Sequence, residues 1–398
     1  NYTNVTTASD PRRSHGMDFT TFTLYPVAGA NVLGGDSYAI GNPARLMEAA
    51  AYFRSLNGTF GVMEMQPGQV NWGGINPQPM PGAINMWLWH AFASGASLVA
   101  TYRYRHPLAG SEMYHMGIVG TDGVTLSRTG REYVAAMKEI RALEPRLDAR
   151  ARLPDRLAAR YTGYLWSQDV FWDLEIQPQT TLWNSWAYRN GYTRDVKSTG
   201  APMDFIVEDD DFSRYPFLIA PAYQIVSKAL ASKWRRYVEQ GGHLILTSRT
   251  GEKNAQDHFP EGPWAAPILD LIGDDIEGFD TLPPSARGQV TAAGKSYAWH
   301  RWADILKPRP GTEVLATYAN HYYAGKAAAT IRRLGKGTVT MIGVSTDDGV
   351  LERDIVRSVY QRAGVAIEDL PDGVFIDWRG GFNFMVNYNP QPFTYALA

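Results

Sequence analysis

Apolar runs of strand length alternate with amphipathic segments of helix length over the first part of the chain. The apolar runs are "DFTTFTLYP", "FGVMEMQ" and "SLVATYRYR". The intervening pattern predicts helices from Pro43 to Leu56, around Ile84 to Ser94, and in "REYVAAMKEIRALEP". Such alternation is typical of parallel βα units. Polar residues follow each predicted strand, namely Tyr25, Glu64 and residues 103–105, and a (β/α)8 barrel carries its chemistry at that end of its strands.

The number of strands limits what this first region can be. A whole barrel takes roughly 250 residues, whereas residues 1–153 supply three predicted strands. Three strands cannot close a barrel. We therefore predict that residues 1–153 form the C-terminal part of a TIM barrel, whose first strands are absent or supplied elsewhere.

Two further regions have different patterns. Residues 154–372 contain short apolar runs such as "YPFLIAPAY" and "GGHLILTSR", bounded by Gly, Pro or Asp, with a helical pattern from Ser227 to Gln240. This predicts a doubly wound or flavodoxin-like α/β domain. Residues 373–398 alternate as antiparallel strands do and then stop. They predict the beginning of a small antiparallel β domain, truncated at the end of the chain.

Composition narrows the choice of partner. The chain has 398 residues, a net charge of -2 and 44% hydrophobic residues, so two or three domains with sizeable cores are expected. It has no basic excess that would favour nucleic acid or acidic membranes, and the apolar run from Trp87 to Tyr102 is interrupted by His90 and small residues. We therefore predict no nucleic-acid partner, no membrane association and a small neutral ligand.

The absence of cysteine from the sequence removes several enzyme classes. It excludes disulfides, a thiolate nucleophile of the amidotransferase type and cysteine-ligated zinc.

Nothing at the N-terminus resembles a signal peptide, and Asn1 is no natural start. We expect the chain to be part of a longer protein.

The stretch "GVMEMQPGQVNWGG" places one carboxylate, Glu64, among apolar residues at the end of a strand-like run. A buried, unpaired carboxylate is costly, so Glu64 has either a partner or a catalytic role. One interpretation is a nucleophile or base at a barrel strand end, and the other is a structural ion pair at the edge of the core. Trp72 favours the first, because an indole offers a sugar a flat apolar face and an N–H donor, although a lone Trp is more often a core residue.

The segment "GSEMYHMG" holds Glu112 and His115 three positions apart. On one side of a turn they could bind neighbouring hydroxyls of one sugar. A metal pair is the rival interpretation, but no third ligand lies at a suitable spacing and the chain has no H-E-x-x-H motif. An incidental surface turn is the third. We predict no metal site and no cofactor.

Two other motifs contain residue types found in metal or phosphate sites, but their patterns do not favour such a site. The run Glu208 to Asp211 in "VEDDDFS" is interpreted as a solvated loop rather than a metal site. The segment "LGKGT" from Leu334 to Thr338 fails the spacing of a phosphate-binding P-loop, so we predict a turn between two strands.

Several stretches resemble the glycoside hydrolase family 42 β-galactosidases. "VMEMQPGQVNWGGINPQPMPG", "MWLWHAFASGASLVATYRYR" and "GSEMYHMGIVGTDG" are similar to the C-terminal portion of that family's catalytic barrel. "YPFLIAPAYQIVS", "YVEQGGHLILTSRTG" and "GKGTVTMIGV" are similar to its amidotransferase-like trimerisation domain. The tail after Gly373 resembles the start of its small C-terminal β domain. The resemblance thus covers nearly the whole chain.

This resemblance implies a retaining β-galactosidase. Glu64 would be the nucleophile, Trp72 would line the galactose subsite, and Glu112 and His115 would hydrogen-bond the sugar hydroxyls. Tyr25 in "TLYPV" matches the family's Tyr-Pro after the sixth barrel strand and would lie close to the nucleophile. The family habit further implies β-galactoside substrates, a homotrimer and a bacterial cytoplasmic location.

The sequence departs from the family pattern at two points. Thr23 stands where the family commonly has an Asp two residues before the Tyr, which puts the local hydrogen bonding and the preferred sugar in question. The family's acid/base is a Glu directly after an Asn at the end of strand four, and no Asn-Glu dipeptide occurs in this chain. We therefore expect the acid/base Glu in a missing N-terminal part.

Two alternatives remain open from the sequence. The chain could be an inactive scaffold that assembles through its second domain and binds sugar weakly. It could also perform the same chemistry on β-fucosides or α-L-arabinosides, which differ from galactosides by one exocyclic group or its oxygen.

Overall fold

A computed structural model describes residues 17–29 and 38–395 of the chain. The described residues divide into two compact units. The first unit contains those up to Pro154 together with those from Asp369 onward, and the second contains Asp155–Glu368.

The first unit is built on a parallel sheet. Its three described strands are β1 (Thr20–Leu24), β2 (Phe60–Met65) and β3 (Ala96–Thr101), hydrogen-bonded in the order β1-β2-β3. The parallel arrangement confirms the prediction of βα units and agrees with the C-terminal part of a TIM barrel.

Helices follow each of these strands, as the sequence pattern predicts. They are α1 (Pro43–Asn57), α2 (Ala83–Ala93) and α3 (Arg128–Leu143). Asn42 begins α1 by accepting a hydrogen bond from the Ala44 amide at 3.0 Å, and Ser127 caps α3 in the same way. Helix α1 packs on β1, where the rings of Phe22 and Phe53 stack with their centroids 5.2 Å apart. The packed helices hold the strands in place.

The second unit is an α/β domain on an eleven-stranded sheet, counted over its described residues. Its strands are β4 (Thr162–Leu165), β5 (Met203–Ile206), β6 (Phe217–Ala220), β7 (His243–Thr247), β8 (Asp274–Asp280), β9 (Gly288–Ala292), β10 (Lys295–Pro308), β11 (Thr312–Tyr318), β12 (Ala327–Leu334), β13 (Gly337–Ile342) and β14 (Val344–Thr346). Its helices are α4 (Asp155–Ala158), α5 (Gln168–Ile176), α6 (Ser185–Lys197), α7 (Lys228–Glu239), α8 (Leu269–Ile272) and α9 (Val350–Arg362).

The strand order of this sheet identifies its architecture. The neighbours β13-β7-β6-β4-β5 are all parallel. The chain starts at β4, goes to the edge strand β5 and then continues on the other side of β4 with β6, β7 and β13. This is the doubly wound, flavodoxin-like order, and it confirms the predicted fold class. An antiparallel extension continues the sheet beyond β13. The predicted turn at Leu334 to Thr338 is confirmed, because it joins β12 to β13.

An antiparallel hairpin near the end of the chain belongs to the first unit. It consists of β15 (Val374–Arg379) and β16 (Phe382–Asn387), joined by two glycines with φ of 56° and 93°. Two successive positive φ values match the tight turns that hairpins favour, and glycine adopts them without strain. The Ser94 hydroxyl after α2 donates to Asp377 Oδ2 at 2.9 Å. That residues 373–398 form the beginning of a separate third domain stays a prediction.

Within residues 17–29 and 38–395, no helix has both the length and the apolar character needed to cross a bilayer.

Candidate active site

A cavity of about 300 Å³ lies where the three parallel strands of the first unit end. The described side chains that line it are Thr23, Tyr25, Arg45, Glu64, Trp72, Tyr102, Glu112 and His115. All five residues that the sequence singled out are therefore brought together, although they come from three different strand ends.

Glu64 reaches this cavity through an irregularity in the sheet. Phe22 pairs with Val62, but the next residue, Thr23, pairs with Glu64, so Met63 is an extra residue in β2. A bulge of this kind re-aims the side chains that follow it. Met63 is exposed while Glu64 is partly covered and lines the cavity.

The Glu64 carboxylate is held by a tyrosine. The Tyr25 hydroxyl donates to Glu64 Oε1 at 2.5 Å. Tyr25 is buried, and its pKa is raised well above the ordinary value, first by burial and then by this hydrogen bond. The phenol therefore stays protonated and serves as a donor. Because the structure records a bond to one carboxylate oxygen, the other remains available for chemistry in the cavity.

The loops behind these two residues are clamped by Gln66. Its side chain is fully buried, accepts from the Val27 amide at 2.9 Å and donates to the carbonyls of Val27 and Gly68, both at 2.8 Å. One side chain thus joins the loop after β1 to the loop after β2. This explains the residues that follow Glu64 in "MEMQPG": they fix the backbone that carries the carboxylate.

Trp72 stands at the side of the cavity with 52% of its surface exposed. Its ring meets Tyr25 edge to face, with centroids 5.0 Å apart. The adjacent Gly73 lets the two loops approach closely, because a Cβ there would lie 2.7 Å from the Gly29 amide nitrogen. These contacts hold the loop that carries Trp72 in place, and the exposed indole presents apolar surface to a ligand.

Glu112 and His115 lie on one turn after β3. The His115 amide donates to the Glu112 carbonyl at 2.9 Å, which closes the turn. The Asn71 side chain, from the loop after β2, donates to the Ser111 carbonyl at 2.6 Å and anchors the turn beside Trp72. The predicted juxtaposition of the two side chains at i and i+3 is therefore present.

His115 offers an acceptor to the cavity. The residue is fully buried, and its Nδ1 lies 3.2 Å from the Met116 carbonyl, which accepts the ring hydrogen. Burial is the main cause that lowers the pKa of His115 below its ordinary value, so the ring is neutral at pH 7. Nε2 then carries a lone pair, and it has no hydrogen-bond partner among the described residues. A ligand hydroxyl is a suitable donor to it.

Sequence reasoning missed two lining residues, Arg45 and Tyr102. Tyr102 directly follows β3, so the rule that polar residues at barrel strand ends line the site could have found it. Arg45 lies in the first turn of α1, where no local pattern distinguishes it from a surface arginine. Burial lowers the pKa of the Arg45 guanidinium.

The acidic run in the second unit has structural contacts. Glu208 Oε1 accepts from the Tyr223 hydroxyl at 2.7 Å, and Asp210 accepts from the Val207 amide at 2.7 Å. Over residues 17–29 and 38–395, no cluster of His, Asp and Glu is arranged to hold a metal ion.

Comparison with known proteins gives two family matches. The sequence model described as "Beta-galactosidase" matches residues 2–143, and the one described as "Beta-galactosidase trimerisation domain" matches residues 160–366. The described residues that line the cavity all lie within residues 2–143, the range matched by the "Beta-galactosidase" model.

Individual relatives agree with these matches. The chain is 29% identical over 393 residues to the β-galactosidase BgaH of Haloferax lucentense, covering 97% of this chain and 57% of the relative. It is 30% identical over 325 residues to LacA of Lactobacillus acidophilus, covering 79% and 47%. The solved β-galactosidase of the Antarctic haloarchaeon Halorubrum lacusprofundi superposes with a TM-score of 0.85 at 28% identity, covering 94% of this chain and 55% of that one. The chain spans about half the length of the curated relatives it matches.

Proposed function

From the premise that this chain belongs to the glycoside hydrolase family 42 β-galactosidases, we propose that it carries the nucleophile and much of the sugar-binding site of a retaining β-galactosidase. The observation that supports this most is the Glu64 carboxylate, bonded to Tyr25 at 2.5 Å beside a cavity that His115 also lines, with no hydrogen-bond partner for His115 Nε2 among the described residues.

In this mechanism Glu64 attacks the anomeric carbon of a terminal β-D-galactoside. The bond from that carbon to the leaving oxygen breaks as a bond to a Glu64 oxygen forms, and a general acid protonates the leaving group. Water, deprotonated by the same group, then releases galactose and restores the carboxylate. The Tyr25 hydroxyl orients Glu64 before the attack.

The other lining residues would bind the sugar. The exposed indole of Trp72 suits the apolar face of the pyranose ring, and the lone pair of His115 Nε2 suits a hydroxyl donor. Glu112 would accept from a neighbouring hydroxyl. The cavity volume of about 300 Å³ is at the lower end of the range of small-molecule sites, as a monosaccharide subsite requires.

The general acid/base is proposed to lie outside this chain. Retaining glycosidases place their two carboxyl groups about 5 to 5.5 Å apart, and this chain has no Asn-Glu dipeptide to supply the second. Because the chain covers 57% or less of the relatives described above, we propose that the acid/base Glu belongs to an N-terminal part of the barrel.

Assembly would follow from the second unit. Residues 160–366 match a domain described as a trimerisation domain, so we propose a homotrimer with cyclic symmetry. Light scattering on the purified protein tests this. Location in a bacterial cytoplasm stays a prediction from the family resemblance.

Covalent trapping tests the mechanism. We expect a 2-deoxy-2-fluoro-β-galactoside with a good leaving group to label Glu64 in a protein that contains the complete barrel, as peptide mass spectrometry would detect. A Glu64→Gln variant is the control and should remain unlabelled. Labelling of another carboxylate would refute the assignment of the nucleophile.

The same experiment separates the alternatives. A wild-type protein that is neither labelled nor active on a chromogenic β-galactoside would favour an inert assembly scaffold. Faster hydrolysis of a β-fucoside or an α-L-arabinoside than of the galactoside would keep the mechanism and change the substrate.

A further inference from the structure

The two oxygens of the Glu112 carboxylate have different environments. Oε2 accepts from Arg103 Nη2 at 2.6 Å and from the Tyr102 hydroxyl at 2.8 Å. The structure records no partner for Oε1 among the described residues. Glu112 lines the cavity, and its side chain is 38% exposed. One oxygen is therefore held by the protein while the other is available to a ligand.

Arg103 lies next to Glu112 but is not among the described residues that line the cavity. Its side chain is 23% exposed. Its guanidinium lies over the Tyr102 ring, 4.6 Å from the centroid, and also donates to the Tyr102 hydroxyl. The Ile118 amide donates to the Arg103 carbonyl at 3.0 Å and ties the backbone at this point. The guanidinium thus has a fixed position from which to hold Glu112.

We propose that Arg103 is a positioning residue that acts, together with Tyr102, by presenting Oε1 of Glu112 to a hydroxyl of the sugar. This inference rests on the proposed function. Two donors on one oxygen restrict rotation of the carboxylate. The arginine charge also reduces the repulsion between Glu112 and Glu64, two carboxylates that line one cavity.

Lysine could not perform this task equally well. Guanidinium is a rigid planar fork that stacks on an aromatic ring while it donates, whereas an ammonium is a compact charge on a flexible stem. Arg103→Lys therefore keeps the charge and most of the volume but loosens Glu112. Small misplacements of a binding group cost about 10- to 100-fold in turnover efficiency, and we expect a loss of kcat/KM in that range.

A purely structural role would have different consequences. If the Arg103–Glu112 pair only tied the chain together after β3, its loss would lower the melting temperature, and any loss of activity would follow from the loss of folded protein. If Arg103 acts through Glu112, its effect disappears once the carboxylate has been altered, because there is nothing left to position.

The test is a double-mutant cycle in a protein that contains the complete barrel. kcat/KM for a nitrophenyl β-galactoside is measured for wild type, Arg103→Lys, Glu112→Gln and the double variant, with the melting temperature of each. We expect the double variant to be no worse than Glu112→Gln within about twofold. Arg105→Lys is the matched control: Arg105 donates only to the Thr121 carbonyl among the described residues, does not line the cavity, and should leave kcat/KM unchanged.

Two results would overturn the inference. Multiplication of the two single effects in an active protein would show that Arg103 acts independently of Glu112, and it would leave the proposed function intact. A wild-type protein without galactoside hydrolysis would instead overturn the proposed function, and this inference with it.

Discussion

Two carboxylates of the first unit contrast with two buried carboxylates of the second. In the first unit, the structure records hydrogen bonds to one oxygen each of Glu64 and Glu112, and both side chains line a cavity. In the second unit, Glu352 is 5% exposed and uses both oxygens for Thr346, while Asp304 is 1% exposed and accepts from the Trp302 indole and the Arg249 amide. Glu352 and Asp304 thus use both carboxylate oxygens within the fold, whereas Glu64 and Glu112 each keep one oxygen that no described residue is recorded to bond.

The energetics differ accordingly. Burial is the largest cause that raises the pKa of Asp304 to about 7, and it also raises the pKa of Glu352. Such groups are costly to bury charged, so their hydrogen bonds are needed to keep them inside. A carboxylate at a cavity keeps access to solvent and avoids much of this cost. Substitutions in the two units should therefore separate activity from stability.

The largest expected effect is on activity, from Glu64→Gln. The amide cannot form the covalent intermediate, so kcat/KM should fall on the order of 10⁴-fold or more, with the melting temperature nearly unchanged. Steady-state kinetics on a chromogenic β-galactoside measures this in a protein with the complete barrel. Glu139→Gln is the matched control, since the exposed Glu139 accepts from the half-buried Trp89 indole and lies outside the cavity lining. Retention of more than about a tenth of wild-type activity would refute the nucleophile assignment.

Tyr25→Phe should have the next largest effect. It removes the donor to Glu64 Oε1 while keeping the ring against Trp72. We expect kcat to fall about 100- to 1000-fold, the range for loss of one oriented donor at a reacting group. Tyr133→Phe is the control, because the Tyr133 hydroxyl donates to the Val99 carbonyl at 3.2 Å and does not line the cavity. Equal kinetics for the two variants would show that Tyr25 does not orient Glu64.

For Glu352→Ala the comparison predicts a loss of stability without a loss of activity. Removing the carboxylate leaves the buried Thr346 amide without its acceptor, so the free energy of unfolding should fall by about 1 to 3 kcal/mol. Urea unfolding measures the change, and kcat/KM per folded molecule should stay at the wild-type value. Glu313→Ala, which breaks an exposed pair with Arg362, should cost less than about 0.5 kcal/mol. A loss of activity without a loss of stability would contradict the distinction between the units.

The smallest expected effect is a pH dependence through His115. Burial lowers its pKa, so the ring is neutral near pH 7 and becomes protonated only below its ordinary value of 6.5. Protonation removes the Nε2 lone pair, so KM should be flat above that pH and rise about 3- to 10-fold as the pH falls well below it, the range for one lost hydrogen bond. His115→Gln keeps an acceptor that does not titrate in this range. An unchanged acidic rise of KM in that variant would show that another group is responsible.

Much of the fold follows from local patterns in the sequence. The alternation of "FGVMEMQ" with helix-length segments predicts the parallel units, and short apolar runs bounded by Gly, Pro or Asp predict the doubly wound sheet. These predictions succeed because strand and helix periods are set by residues a few positions apart. Tyr25 and Glu64 could be found in the same way, since polar residues after barrel strands meet at one end of the sheet. Trp72, Glu112 and His115 are instead predicted from residue type, spacing and the family resemblance.

The sequence by itself determined the elements, their parallel order and the residue types at the strand ends. Only the tertiary structure decided which atoms meet: the bulge at Met63 that aims Glu64, the clamp by Gln66 between two loops, the arrival of Arg45 from α1, and the hold of Arg103 on one oxygen of Glu112. These contacts depend on register and rotamers set by packing between segments far apart in the chain. Local periodicity carries no information about them, because the same pattern is compatible with either register and with several side-chain orientations.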